Sequence, residues 1–183
     1  ATTAKKSGSA SGIIDFYNYA SNLHEDYLLS PILDVDQADS VILSFGRAYR
    51  AYSTNTTYAD GLAIVISSDC GATFTEIWRK EGVDLATVAG VQTTLYVPGS
   101  NDWLTTRIDV KPFLGNSKEV IIGFKSINRF GNSLYLDDIQ LTTFRLPRMD
   151  ALISAVAEPS WVLCERNFTP KLTIANFGKD SLK

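Results

Sequence analysis

The acidic pair Asp137-Asp138 is the clearest candidate in this sequence for binding a ligand. It lies in a predicted strand, SLYLDDIQLTTF, over residues 133–144. Carboxylates are hard oxygen ligands of the kind that Ca²⁺ prefers, and Ca²⁺ takes about six to eight of them. Because neighbouring strand residues point to opposite faces, we expect one carboxylate to face inwards or towards a sheet edge and the other outwards. The alternative is that the two acids cap strand ends or pair with arginine.

A second candidate is the polar loop RAYSTNTTYAD at residues 50–60. Exposed aromatic rings stack on sugars because they offer a flat apolar face with a polar tip. Tyr52 and Tyr58 therefore form a predicted saccharide platform, with Arg50 and Asn55 as its polar contacts. The alternative is that these aromatic side chains belong to a core, as most do in a β-sandwich. The same two interpretations apply to Tyr49, Tyr96, Trp78 and Trp103.

The turn Ser67-x-Asp69-x-Gly71-x-Thr73-Phe74 is similar to the Asp-box hairpin of sialidase propellers, with Phe in place of Trp. In that hairpin the aspartate accepts backbone N–H bonds and the glycine takes a positive φ. A propeller needs several copies at a regular period, and this chain has one. The motif therefore predicts turn geometry rather than an enzyme.

His24, in the segment LHED, is the one histidine of the chain. A histidine beside acids can bind a metal or act as a general base. The sequence has no H-E-x-x-H motif and no G-x-S-x-G turn, so we interpret His24 as a surface-loop residue and expect a non-catalytic module. A carboxylate pair for glycoside hydrolysis stays an alternative, because separation in space is invisible in a sequence.

Composition narrows the class of protein. The chain has 183 residues, a net charge of −3 and 45% hydrophobic residues, which suits a globular core. Its charge argues against a nucleic-acid surface, and no apolar run approaches the roughly 20 residues of a membrane span. Cys70 and Cys164 lie far apart in sequence, and whether they pair stays open. The chain starts abruptly at ATTAKKSGSASG, so we expect a piece of a longer precursor.

The hydrophobic pattern predicts short strands and almost no helix. The hairpin is the strongest signal, because two β-branched runs flank a glycine-containing turn at residues 61–67 and 73–78. Pro31 marks an edge or a break in the strand at 27–33. A helical turn is expected at most over 83–89. The other predicted strands span residues 13–19, 41–49, 103–110, 119–126 and 133–144.

These strands predict an all-β protein, an antiparallel β-sandwich of the jelly-roll type, over residues 13–147. Residues 1–12 are small and polar and are expected to form a linker or arm. Composition shifts at Leu146-Pro147-Arg148, and two further strands follow at 150–156 and 171–175. Two strands cannot bury a core, so residues 148–183 are interpreted as a truncated second β module. The alternative is a C-terminal extension that packs on the first domain.

Several segments together resemble a known family. They are YLLSPILDV, LSFGRAY, DGLAIVISSDCGATFTEIW, a strand that begins at Trp103, and GNSLYLDDIQL, in that order. The order resembles the MAM-like jelly-roll modules of secreted Bacteroidetes proteins, including the cleaved-adhesin modules of gingipains and the module after the catalytic domain of cytophagalysin-type metalloproteases. The tail from Asp150 is similar to the start of the Ig-like modules that follow such jelly rolls.

The resemblance implies a structural calcium that uses the acidic residue before the final Ile-x-Leu, which here is Asp137 or Asp138. Further ligands would come from other strands, first Asp60 and then Asp26 and Glu25. It also implies an adhesive or substrate-recognition role at a cell surface or in a secreted protein, with a glycan or a protein as partner. The alternative role is a spacer that supports a neighbouring protease or hydrolase domain of the same chain.

Overall fold

The computed structural model describes residues 1–158 and 169–181. The chain divides into two units, Ala1–Thr143 and Phe144–Lys183. Almost all regular structure in both is β, as the sequence predicts. The strands are β1 Gly12–Ile14, β2 Glu25–Leu29, β3 Leu33–Asp34, β4 Ser40–Ala48, β5 Gly61–Ser67, β6 Thr75–Glu81, β7 Leu104–Asp109, β8 Glu119–Ile127, β9 Leu134–Phe144, β10 Ala151–Glu158 and β11 Lys171–Asn176.

Unit 1 is a sandwich of two sheets. One sheet has the strand order β1-β9-β4-β7, and the other has β2-β8-β5-β6 with β3 added to β8. The predicted hairpin is confirmed as β5 and β6, whose residues pair from Gly61 with Glu81 to Ile66 with Thr75. The chain crosses repeatedly between the two layers. It does so from β4 to β5, from β6 to β7 and from β8 to β9, because the two strands of each pair lie in different sheets. The all-β antiparallel sandwich is therefore confirmed.

The core lies between the two sheets and follows the period-two pattern of the strands. Leu43 and Phe45 of β4 face Ile64 of β5 and Phe124 of β8, and all four side chains are buried. The Phe45 ring meets Phe124 edge-on at a centroid distance of 5.0 Å and meets Trp78 at 6.0 Å. Such T-shaped pairs add about 1 kcal/mol beyond the burial of their area.

Two local predictions require correction. The strand predicted at 13–19 ends at Ile14, because Asp15 accepts a bond from the Asn18 amide and caps a 3₁₀ turn over Phe16–Asn18. The helical turn predicted over 83–89 is one short helix, α1, at Gly82–Leu85.

The break predicted at Pro31 is confirmed, since β2 ends at Leu29 and β3 begins at Leu33. Further 3₁₀ turns cover Thr56–Tyr58 and Lys111–Phe113.

Residues 1–11 pack on the strands of unit 1, to which they belong. Ala4 is buried in a small cluster with Ala48, Tyr96 and Tyr135, and the Ser11 amide donates to the carbonyl of Ala1 at 2.9 Å. This contact brings Lys6 and Ser7 beside β9.

Unit 2 contains the antiparallel pair β10 and β11, whose register runs from Ala151 opposite Asn176 to Glu158 opposite Lys171. Arg148 forms an ion pair with Asp180 at 3.0 Å. Among the described residues of the chain, no helix has the length and apolar character needed to cross a membrane.

Candidate functional site

Asp60 lies immediately before β5 and is completely buried. Its Oδ1 accepts hydrogen bonds from the amides of Arg129 at 2.8 Å and Gly131 at 3.0 Å. Its Oδ2 accepts from the Tyr49 hydroxyl at 3.0 Å and the Asn132 amide at 2.8 Å. One carboxylate thus joins the end of β4, the start of β5 and the loop between β8 and β9. We call this arrangement the Asp60 corner.

Burial raises the pKa of the Asp60 carboxyl, and the hydrogen bonds from Arg129, Gly131, Tyr49 and Asn132 oppose that rise. Burial and the adjacent Asp60 carboxylate also raise the pKa of Tyr49, so its hydroxyl keeps its proton and serves as a donor. Donor groups therefore surround the oxygens of Asp60. A carboxylate held in this way is a structural acceptor, not a group free to exchange protons with a substrate.

Asn132 extends the corner to a second loop. Its Oδ1 accepts from the Tyr96 amide at 2.8 Å, and its Nδ2 donates to the carbonyls of Gln92 and Thr94, each at 3.0 Å. Sequence reasoning missed Asn132, and no local pattern distinguishes it from a solvent-exposed turn residue. Only its position next to Gly131, in a turn between two strong strands, gives a signal that the loop is constrained.

Three tyrosine rings gather beside the corner, and we call them the tyrosine platform. The centroids of Tyr52 and Tyr58 are 5.4 Å apart, and those of Tyr17 and Tyr52 are 6.5 Å apart. Tyr17 and Tyr58 are each 38% exposed. Tyr52 and Tyr58 were predicted, but Tyr17 was missed because its segment was interpreted as a strand. The 3₁₀ turn over Phe16–Asn18 is what turns Tyr17 towards its neighbours.

Asn55 and Arg50, the polar residues predicted to accompany the platform, each bind another part of the protein. Asn55 caps the 3₁₀ turn Thr56–Tyr58, because its Oδ1 accepts from the Thr57 amide at 3.0 Å. Arg50 donates from Nη1 to Oε1 of Gln92 at 3.3 Å. Tyr49 and Tyr96 are core residues.

A groove of about 280 Å³ adjoins the platform loop at Thr54. Its other lining residues are Val83, Ala86, Thr87, Val88, Ala89, Gly90 and Val91.

Asp137 and Asp138 bind the N-terminal segment. Oδ2 of Asp137 accepts from the amides of Lys6 at 2.7 Å and Ser7 at 3.2 Å. Asp138 forms an ion pair with the Lys6 ammonium group at 2.7 Å and accepts from the Ser7 hydroxyl. These two bonds lower the pKa of Asp138, with Lys6 as the larger cause.

The prediction that the two acids face opposite ways is wrong. Asp138 has a φ of +50°, which breaks the alternation of the strand and turns its carboxylate towards the same residues that Asp137 binds. The partner is Lys6 rather than the arginine that the alternative interpretation named.

The remaining predicted metal ligands lie on β2. Asp26 accepts a bond from the Tyr19 hydroxyl at 2.8 Å, which raises the pKa of Tyr19. Glu25 pairs with the Lys125 ammonium group at 2.7 Å. Within residues 1–158 and 169–181, no three His, Cys, Asp or Glu side chains converge on one point. The five predicted ligands are therefore not brought together, and their close neighbours are N–H, O–H and ammonium donors.

The Asp-box turn has the predicted geometry. Asp69 accepts from the Ser67 hydroxyl at 2.6 Å and the Thr73 amide at 2.9 Å, and Gly71 has a φ of +88°. Hydrogen bonds from Ser67 and Thr73 lower the pKa of Asp69 to about 2.

Cys70, in the same turn, is an exposed free thiol, whereas Cys164 lies outside the described residues. His24 is exposed, with its ring 6.1 Å from that of Tyr19.

Comparison with known proteins gives distant likenesses. No family model and no curated protein matches the chain. The solved K3 cleaved adhesin domain of Lys-gingipain from Porphyromonas gingivalis is 14% identical with a TM-score of 0.49, covering 73% of this chain and 74% of that one. The K1 domain is 13% identical at 0.47 with the same coverage, and the K2 domain is 20% identical at 0.41, covering 74% and 73%. Likenesses this distant carry no argument about function, which rests on the residues of this chain.

Proposed function

We propose that this chain is a non-catalytic recognition module of a secreted or cell-surface protein, and that it binds a saccharide through the tyrosine platform. The observation that carries the proposal is the grouping of Tyr17, Tyr52 and Tyr58, with two of the rings 38% exposed. Neighbouring rings of this kind present flat apolar faces and hydroxyl groups, which suit the faces and hydroxyls of a sugar ring.

The Asp60 corner supports the proposal because it fixes the platform in advance. Tyr58 precedes Asp60 by two residues, and Asp60 is tied to backbone amides of the loop at 129–132. A loop held in its binding conformation loses less entropy when a ligand binds. The same bonds occupy the Asp60 carboxylate, so this acid serves architecture rather than proton transfer.

The alternative role, a spacer beside a catalytic domain, calls for buried aromatic side chains and no exposed apolar surface. The partly exposed rings of Tyr17 and Tyr58 favour recognition over that role.

Replacing Tyr52 or Tyr58 by alanine is expected to weaken saccharide binding about tenfold each, because each loses roughly 1.4 kcal/mol of ring contact. A screen on immobilised glycans identifies the ligand, and calorimetric titration then gives the dissociation constant. Tyr27→Ala is the matched control, since Tyr27 is 46% exposed but lies on β2. Equal affinity in all three variants would place the saccharide elsewhere, and the absence of any bound glycan would return the module to the spacer role.

Calcium stabilisation of the module stays a prediction and rests on Asp137 and Asp138. Both carboxylates already bind Lys6 and Ser7, so a calcium ion would have to displace the Lys6 ammonium group. The predicted result is a rise of several degrees in the melting temperature when millimolar Ca²⁺ replaces EDTA, because a ligand of the folded state stabilises it. The rise should vanish when both acids are changed to asparagine. An unchanged melting temperature in the wild type would leave the pair as an anchor for residues 6 and 7.

A further inference from the structure

The groove of about 280 Å³ that adjoins the platform loop has a lining of small apolar side chains, and we call it the valine groove. Thr54 borders it, and the rest of the lining comes from residues 83 and 86–91. Val83 is 54% exposed and Val91 is 45% exposed. Five members of the lining are alanines or valines, namely Val83, Ala86, Val88, Ala89 and Val91.

Backbone hydrogen bonds fix one side of the valine groove to the chain just after β4. The Thr87 amide donates to the carbonyl of Tyr49 at 2.8 Å, and the Gln92 amide donates to the carbonyl of Ala51 at 2.9 Å. The Thr87 hydroxyl accepts from the Tyr49 amide at 3.0 Å and donates to the Tyr49 carbonyl at 3.2 Å. This hydroxyl therefore serves the fold, and the segment that lines the groove is held at both of its ends.

The valine groove is also held close to the tyrosine platform. The amide of Gly82, next to Val83, donates to the carbonyl of Asp60 at 2.9 Å, which ties α1 to the Asp60 corner. Thr54 follows Tyr52 by two residues, so their Cα atoms are at most about 7 Å apart. A sugar ring stacked on Tyr52 therefore lies within one sugar unit of the groove.

The polar groups of the valine groove are mostly those of the backbone. None of the amides of residues 88–91 donates a hydrogen bond to another described residue, and Gly90 and Val91 are exposed. A sugar that carries only hydroxyl groups would find few side-chain partners here, because the hydroxyl of Thr87 is already bonded. Amide donors beside small apolar side chains suit a group that joins a carbonyl oxygen to a methyl group.

We propose that the valine groove binds the acetamido group of an N-acetylated amino sugar whose ring stacks on the tyrosine platform. The inference rests on the proposed function, because the platform holds the ring. Val83 and Val91 contact the methyl group, and an amide of residues 88–91 donates to the acetamido carbonyl. The platform thus supplies affinity for a sugar, and the groove selects the acetylated one.

The test is an NMR titration of the nitrogen-15-labelled protein with matched sugars: N-acetylglucosamine against glucose, and N-acetylgalactosamine against galactose. In at least one pair the acetylated sugar is expected to bind about tenfold more tightly, because it adds a buried methyl group and one hydrogen bond. The amide signals of residues 88–91 should shift with the acetylated sugar and stay in place with its parent hexose.

Val83→Ser and Val91→Ser should each weaken binding of the acetylated sugar about fivefold and leave the affinity for the parent hexose unchanged. Val97→Ser is the matched control, since Val97 is 50% exposed and lies outside the lining of the groove. Because all three valines are about half exposed, these variants should fold, which melting curves check.

Equal affinity for the acetylated and parent sugars, or an acetamido preference that survives both serine variants, would overturn the inference. If Tyr52→Ala still weakens binding in that case, the platform stands and only the groove assignment fails. If Tyr52→Ala leaves the affinity for every sugar unchanged, the proposed function itself fails. An alanine tripeptide that shifts the amides of residues 88–91 at lower concentration than either acetylated sugar would also overturn the inference, because the occupant would then be a peptide.

Discussion

Replacing Asp60 by asparagine is expected to lower the free energy of unfolding by about 3 kcal/mol. An asparagine has one oxygen acceptor where aspartate has two, so its amide nitrogen must face donors. Those donors are either the amides of Arg129 and Gly131 or the Tyr49 hydroxyl and the Asn132 amide. Each donor left without an acceptor in this buried place retains its full desolvation cost.

Urea unfolding followed by circular dichroism measures this loss. Asp84→Asn is the matched control, because Asp84 is exposed in α1 and should leave stability unchanged. Wild-type stability in Asp60→Asn would mean that the Asp60 corner contributes nothing to the fold. It would also remove the argument that the corner fixes the tyrosine platform.

Changing Gly131 to alanine is expected to destabilise the protein by about 2 kcal/mol through steric crowding. A Cβ at this buried position would stand 2.1 Å from Oδ2 of Asp60 and 2.8 Å from the carbonyl oxygen of Tyr58. Because one of these atoms is backbone, the strain cannot be relieved by a side-chain rotation. The loop that carries Tyr58 must move, so saccharide affinity should fall together with stability.

Thermal unfolding and glycan titration of the same variant test both effects. Gly99→Ala is the control, since its Cβ would meet only Oδ2 of Asp102, at an ordinary distance of 3.7 Å. A Gly131→Ala protein with unchanged melting temperature and unchanged affinity would contradict the close packing of the corner against the platform.

Much of the fold could be predicted from the sequence because its signals are local. The β5–β6 hairpin depends on alternating β-branched residues and on a turn whose own side chains, Ser67 and Asp69, supply the hydrogen bonds. The break at Pro31 is equally local, since proline has no amide to donate to a ladder. The strand predicted at 13–19 failed because Asp15 capped a turn that competed with the extended backbone.

The candidate site was harder to predict because its contacts are distant in sequence. The resemblance implies a calcium ligand at Asp60, whereas the structure surrounds Asp60 with donors, and the partner amide of Gly131 lies 71 positions away with no pattern near Asp60 to indicate it. The alternation of a regular strand predicts that Asp137 and Asp138 point to opposite faces. The positive φ of Asp138 interrupts that alternation, so the prediction does not hold. Tyr52 and Tyr58 were found because they lie in one polar loop, whereas Tyr17 joins them only through folding.

NMR spectra of the protein with isotope-labelled tyrosine rings, recorded as a glycan selected by the screen is added, show whether the tyrosine platform is where the saccharide binds. The ring signals of Tyr17, Tyr52 and Tyr58 should shift together with one dissociation constant, while those of the buried Tyr49 and Tyr135 stay in place. Saturable binding of the glycan with no change at the three platform rings would contradict it.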